Sequence, residues 1–146
     1  TGYSALCFAE GLQAGGKIHT IDINEELETM VNTYIKKANL TDTIINHIGN
    51  AIDIIPTLNK EFDIVFIDAD KTNYSNYYDL VFDKVKSGGY IIADNVLWSG
   101  KVIEDKSVLD SDTIALIEYS EKIQNDKRVQ NVLFPIRDGL MIARKK

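Results

Sequence analysis

Asp22, Asp68 and the pair Asp94 and Asn95 each stand at the end of a short apolar run of strand character: KIHTID, FDIVFID and GYIIAD. In an open parallel sheet, ligands gather beyond the carboxyl ends of the strands, so oxygen donors there are the first candidates for chemistry. Taken singly, each reads equally well as a turn former or helix cap. Asp68 and Asp94, however, close two consecutive strands joined by one helix, and a right-handed crossover sets such strand ends side by side. Two carboxylates in one crevice repel each other unless a cation or a proton intervenes. With the amide oxygen of Asn95 they make three hard oxygen donors that leave positions for water or substrate. Such a set suits Mg²⁺ or Mn²⁺ better than zinc, with Ca²⁺ a third candidate of the same oxygen preference. Lys71 follows Asp68 closely, in the loop entering the next helix. A shielded lysine beside a bound cation is a candidate general base; the alternative is a solvated lysine pairing with Asp70, and spacing does not choose between them.

The elements that must position these residues follow from periodicity. Short apolar runs alternate with longer stretches of helical period, the pattern of a sheet with helices on both faces. Strands are expected over residues 17–22, 43–48, 62–68, 89–94, 129–135 and 139–144, and helices over 4–13, 25–39, 51–58, 74–86 and 110–126. Asn24 followed by Glu25 and Glu26 reads as an N-cap with acidic residues in the first turn. Gly88 and Gly89 read as the stop of the fourth helix. The last two strands are joined by Ile136 to Asp138, too short for a helical crossover, so they should form an antiparallel hairpin. The expected class is α/β, mostly parallel with a C-terminal antiparallel hairpin, in one domain spanning residues 1–146.

Bulk properties narrow the partners. The formal net charge of −6, with both signs interspersed, provides no basic stripe for a phosphate backbone. No apolar run approaches the ~20 residues that cross a bilayer, and the first residues lack the features of a secretory signal; a cytoplasmic location is expected. Cys7 is the only cysteine, which excludes an intramolecular disulfide and a multi-cysteine zinc site. It is expected to be a small buried residue on a helix. His19 and His47 lie in separate strand-like segments and are expected to be structural rather than a metal-binding pair.

The fragments TGYS, TIDIN, GNAIDIIPTL, FIDADK and ADNVLWSG occur in this order. This arrangement resembles the caffeoyl-CoA and catechol O-methyltransferases and their bacterial relatives, class I enzymes dependent on S-adenosylmethionine and a divalent metal, with a Rossmann-like sheet. FIDADK and ADNVLWSG are the most specific parts, and the resemblance covers nearly the whole chain. It implies that Gly2, Tyr3 and Ser4 end a glycine loop holding the methionine carboxylate and that Asp22 binds the ribose hydroxyls. It further implies that Asn50 and Ala51 border the adenine, and that Asp68 also approaches the methionine amino group. Asp68, Asp94 and Asn95 match the family's metal ligands, Lys71 its proposed base, and Trp98 a wall of the acceptor pocket.

The implied acceptor is a small hydroxylated aromatic molecule, and the implied full-length assembly a homodimer. The family pattern also places a strand and an acidic-glycine pair before Thr-Gly-Tyr-Ser, with helices ahead of them. The sequence is therefore expected to be a chain lacking those N-terminal helices and the first strand. Three other readings fit the sequence less well. A methyltransferase acting on a modified tRNA base is mildly disfavoured by the acidic balance. An NAD-dependent oxidoreductase is disfavoured because no complete G-x-G-x-x-G follows a first strand. A receiver-like phosphoacceptor domain is disfavoured because its lysine follows a later strand than its aspartate.

Overall fold

The structure, a computed structural model, describes residues 2–146, with no side-chain description for Lys106. Thr1 of the TGYS fragment lies outside the described residues. The chain divides into two compact units, one ending at Leu58 and one running from Asn59 to Lys146.

In the first unit, helix α1 (Tyr3–Ala9) precedes strand β1 (Ile18–Asp22), helix α2 (Glu28–Lys37), strand β2 (Ile44–Ile48) and helix α3 (Ala51–Thr57). β1 and β2 pair in parallel, with Ile18 opposite Ile44 and Asp22 opposite Ile48. The expected second helix begins as a 3-10 turn over Glu25–Leu27, capped by the Asn24 side chain, which accepts from the Glu26 N–H at 3.0 Å. Its apolar positions Val31 and Ile35, one turn apart, bury against Ala5 and Ile44, with Leu6, Ile18 and Leu40 around them. Past the helix end at Lys37 and its cap residue Ala38, Asn39 takes the left-handed conformation (φ 58°). There the Leu40 N–H donates back to the Ile35 carbonyl at 3.0 Å, satisfying an end carbonyl that would otherwise lack a partner.

In the second unit, strand β3 (Phe62–Ile67) leads through helix α4 (Tyr74–Phe82) to strand β4 (Val85–Asp94), and helix α5 (Ser111–Asn125) leads to strands β5 (Val129–Phe134) and β6 (Leu140–Lys145). The sheet order is β3-β4-β6-β5. β3 and β4 are parallel, whereas β6 runs antiparallel to both its neighbours, so the expected C-terminal hairpin forms with β6 inside and β5 at the edge. Tyr74, Tyr77, Tyr78, Val81 and Phe82 make the buried stripe of α4. Tyr74 and Tyr78 each meet Tyr119 of α5 edge-on, with ring centroids 5.6 and 6.3 Å apart.

Two expectations need correction. The fourth helix stops at Phe82, and Gly88 and Gly89 lie inside β4 rather than ending the helix. The pairing jumps from Phe62 opposite Val85 to Ile64 opposite Tyr90, so the extra residues on β4 bulge outward. Glycines fit there because Gly88 has φ +82°, and a Cβ on Gly89 would lie 2.9 Å from the Asp63 carbonyl oxygen. Cys7, expected to be buried, is exposed on α1; the short helix turns only Ala5 fully inward.

Candidate functional site

The parallel register of β3 and β4 sets Ile67 opposite Ala93, so Asp68 and Asp94, the next residues, emerge at the same end of neighbouring strands. Asn95 follows in the left-handed conformation (φ 60°), and its N–H donates to the Asp94 carboxylate at 2.7 Å. Lys71 is the centre of the group. Only 7% of it is exposed. Its ammonium donates to the Tyr74 hydroxyl at 2.5 Å, the Asn95 amide oxygen at 3.1 Å and Asp68 Oδ1 at 3.4 Å. Three acceptors thus meet the three protons of one ammonium. The alternative of a solvated lysine paired with Asp70 does not hold, because Asp70 is instead hydrogen-bonded by Tyr77 and Asn73.

Tyr74, which the sequence reading did not single out, ties this group together. Its hydroxyl accepts from Lys71 and donates to the Asp94 carbonyl at 2.9 Å, so the phenol links both strand ends. Burial, followed by the negative charges of Asp68 and Asp94, holds its pKa far above the ordinary tyrosine value. It therefore remains a neutral donor through the physiological range. The only available signal was its position one helical turn beyond Lys71.

Trp98 lies in the loop after Asn95, with its indole 5.5 Å from the Lys71 ammonium and its buried Nε1 without a hydrogen-bond partner. The loop is fastened to the turn between β5 and β6. Val96 and Leu97 donate to the carbonyls of Gly139 and Asp138, and the Ser99 N–H donates to the Asp138 carboxylate. Backbone and loop come so close that a Cβ on Gly139 would stand 2.5 Å from the Leu97 side chain. A cleft of about 560 Å³ opens here, lined by Asp94, Asn95, Ser99, Arg137 and Asp138. Trp98 is not part of that lining.

The donors fit a hard divalent cation in kind. All are oxygens, and two of them, Asp68 Oδ1 and Asn95 Oδ1, already converge on the positive charge of Lys71. Among the described residues, no group of three or more His, Cys, Asp or Glu side chains gathers to hold a metal, so any such cation depends on the Asn95 amide as well as the carboxylates.

In the first unit, Asp22 ends β1 and Asn50 lies two residues beyond the end of β2. The Asp22 carbonyl accepts from the Gly49 N–H at 2.9 Å, and its Oδ1 accepts from the Asn24 N–H at 2.9 Å. Asn50 caps α3, accepting from the Ile52 N–H at 3.0 Å, with Ala51 as the first residue of that helix. Gly2, with φ +73°, opens α1, whose first N–H groups receive no side-chain cap; Tyr3 and Ser4 begin the helix on an exposed face. A Cβ on Gly2 would press on Val31 at 3.0 Å.

The parallel pairing also joins the two histidines, which the sequence reading kept apart. His19 Nδ1 lies 3.0 Å from His47 Nε2, with the ring planes 14° from parallel. One ring N–H donates to the lone pair of the other ring, so these two nitrogens bond to each other rather than to a shared metal. No helix of the described residues is long and apolar enough to cross a membrane.

A family model described as O-methyltransferase matches residues 1–146. The chain is 36% identical over 156 residues to tricin synthase 2 of Oryza sativa subsp. japonica, covering 99% of this chain and 53% of that protein. It is 34% identical over 155 residues to caffeoyl-CoA O-methyltransferase 1 of Eucalyptus globulus, covering 99% of this chain and 63% of that one. The chain therefore spans between half and two thirds of the length of these curated relatives. Among solved structures, an O-methyltransferase from Bacillus cereus in complex with SAH superposes with a TM-score of 0.92 at 30% identity, covering 99% of this chain and 70% of that one.

Proposed function

Because this chain belongs to the O-methyltransferase family and has its Rossmann-like fold, we propose that it transfers a methyl group from S-adenosylmethionine to a hydroxyl of a small catechol-like acceptor, with help from a divalent cation. The observation that carries this reading is the convergence of Asp68, Asn95 and Tyr74 on the buried Lys71 beside an open cleft. The two units are read as parts of one methyltransferase domain. The names of the plant relatives favour a hydroxylated aromatic acceptor over a tRNA base.

In this reading Gly2, Tyr3 and Ser4 hold the methionine carboxylate at the uncapped start of α1. Asp22 accepts hydrogen bonds from the ribose hydroxyls, Asn50 and Ala51 border the adenine, and Asp68 also meets the methionine amino group. Asp68, Asp94 and Asn95 hold the cation, Mg²⁺, Mn²⁺ or Ca²⁺. When bound, that cation supplies positive charge that acidifies the acceptor hydroxyl and fixes its direction. In its neutral amine form Lys71 takes the hydroxyl proton on Nζ and becomes the ammonium that Asp68, Tyr74 and Asn95 hold. The acceptor oxygen then forms its bond to the methyl carbon as the carbon–sulfur bond breaks, and sulfur keeps the electron pair as a thioether. Tyr74 stays protonated and positions the Lys71 amine. Trp98 lies over the amine and shields it from water. The resemblance also extends this reading to a cytoplasmic homodimer.

The test is a methyl-transfer assay on the full-length protein, with labelled S-adenosylmethionine and either catechol or bulk tRNA as acceptor. Label on catechol that is lost with a chelator supports the reading; label on tRNA alone overturns the acceptor assignment.

A further inference from the structure

The cleft beside Asp94 and Asn95 contains one cation that the proposed chemistry does not use. Arg137 lines it, at the turn between β5 and β6. Of the three arginines in the chain, Arg128 pairs with Asp126 at 2.6 Å and Arg144 donates to the Gly88 carbonyl. Arg137 makes no hydrogen bond, ion pair or ring contact among the described residues. Its neighbour Asp138 forms no ion pair with it; that carboxylate accepts from the Ser99 N–H and fastens the loop. Arg137 also adopts the left-handed conformation (φ 53°), a backbone state that glycine or asparagine enters at lower cost. The turn thus carries a long cationic side chain at a position where a small residue would be easier to place.

Resting on the reading of this cleft as the acceptor site, we propose that Arg137 selects the acceptor by binding a carboxylate carried on the aromatic ring. The cleft is otherwise acidic, with Asp94 and Asp138 in its wall, and the exposed guanidinium of Arg137 is the one cationic group lining it, able to exchange water for an anionic group of the acceptor. A planar guanidinium meets a carboxylate through two parallel hydrogen bonds, which orients the ring as well as retaining it. A cleft of about 560 Å³ has room for one aromatic ring with a short side arm. The acceptor class is therefore an aromatic acid bearing vicinal hydroxyls, held at one end by Arg137 and at the other by the Asp94 and Asn95 group.

The test uses the full-length protein loaded with S-adenosylhomocysteine and reads binding by calorimetry, independently of turnover. Four catechols serve as probes: protocatechuate, caffeate, unsubstituted catechol and dopamine. The unaltered protein should bind protocatechuate or caffeate about 10- to 100-fold more tightly than catechol, the range of a charge-assisted hydrogen-bonded pair. Arg137→Gln should remove that preference, Arg137→Lys should restore part of it, and Arg137→Glu should turn it toward dopamine. A preference that survives Arg137→Gln, or equal binding of all four probes by the unaltered protein, overturns the proposal. Methyl transfer measured in parallel separates the two readings. Arg137-dependent binding without transfer to any catechol keeps the carboxylate clamp and removes the catechol reaction. Transfer without Arg137-dependent selection does the reverse.

Discussion

Lys71 Nζ lies 3.1 Å from the amide oxygen of Asn95, joining the loop after β3 to the residue that follows β4. The same ammonium reaches Asp68, so one buried cation gathers a carboxylate oxygen and an amide oxygen from the ends of two neighbouring strands.

Tyr74→Phe should disturb this arrangement without emptying it. The change removes one acceptor from Lys71 and the donor to the Asp94 carbonyl inside a fully buried side chain. A stability loss of about 1 to 3 kcal/mol is expected in denaturant unfolding. Turnover should also fall, because Lys71 loses the hydroxyl that positions its Nζ. Unchanged turnover with unchanged stability would mean that Tyr74 only fills space.

Alkaline stability should depend on the tyrosine cluster. Burial raises the pKa of Tyr74, Tyr78 and Tyr119 above the ordinary tyrosine value of 10.0; the Asp68 and Asp94 charges add to this at Tyr74, and the Asp126 hydrogen bond adds to it at Tyr78. A raised folded-state pKa gives stability that is complete below the unfolded pKa and is lost as pH climbs above it. Thermal melts should therefore hold level through neutral pH and fall above about pH 10. Tyr78→Phe should flatten that fall. An equally steep alkaline decline in the variant would assign it to other groups.

Asp22→Ala should weaken S-adenosylmethionine binding to the full-length protein by about 1 to 3 kcal/mol, the range for hydrogen bonds to a charged acceptor. The Asp22 backbone carbonyl, which holds Gly49, is untouched by the change, so the ends of β1 and β2 should stay paired. Calorimetry giving unchanged affinity would remove Asp22 from the cofactor site.

Much of this was readable from residue order alone. Asp68 and Asp94 were placed together because consecutive parallel strands leave few alternatives, and the register of Ile67 with Ala93 agrees. The C-terminal hairpin followed from the shortness of its connection. What was not readable depended on register or on a returning chain. The His19 and His47 contact depends on the register, which sets His47 opposite Ile21, two residues along from His19 on the same face of the sheet. The bulge at Gly88 and Gly89 has the same two glycines that would end a helix, and only the pairing with β3 tells the cases apart. Arg137 gains its meaning from a turn that brings it back beside Asp94 from more than forty residues away. Lys71 was left between two readings because sequence spacing says nothing about burial. The structure removes the solvated pairing with Asp70, because Lys71 is buried and Tyr77 and Asn73 hydrogen-bond Asp70.

Asp94→Ala and Asn95→Ala should each lower methyl transfer in a way that added Mg²⁺ partly restores, since weaker binding of a ligand is offset by its concentration. Rate measured against Mg²⁺ concentration checks this. Curves that fall in height with no shift along the concentration axis would place these residues outside cation binding.

The most direct measurement is the rate of methyl transfer from labelled S-adenosylmethionine to catechol by the full-length protein, taken across pH for the unaltered protein and for Lys71→Ala, with and without chelator. The account predicts that the chelator abolishes transfer. It also predicts that Lys71→Ala lowers turnover at neutral pH by about 10²- to 10⁴-fold, with part of the loss recovered as rising pH ionises the acceptor unaided. Full activity of Lys71→Ala at neutral pH, together with a rate untouched by chelator, would contradict it.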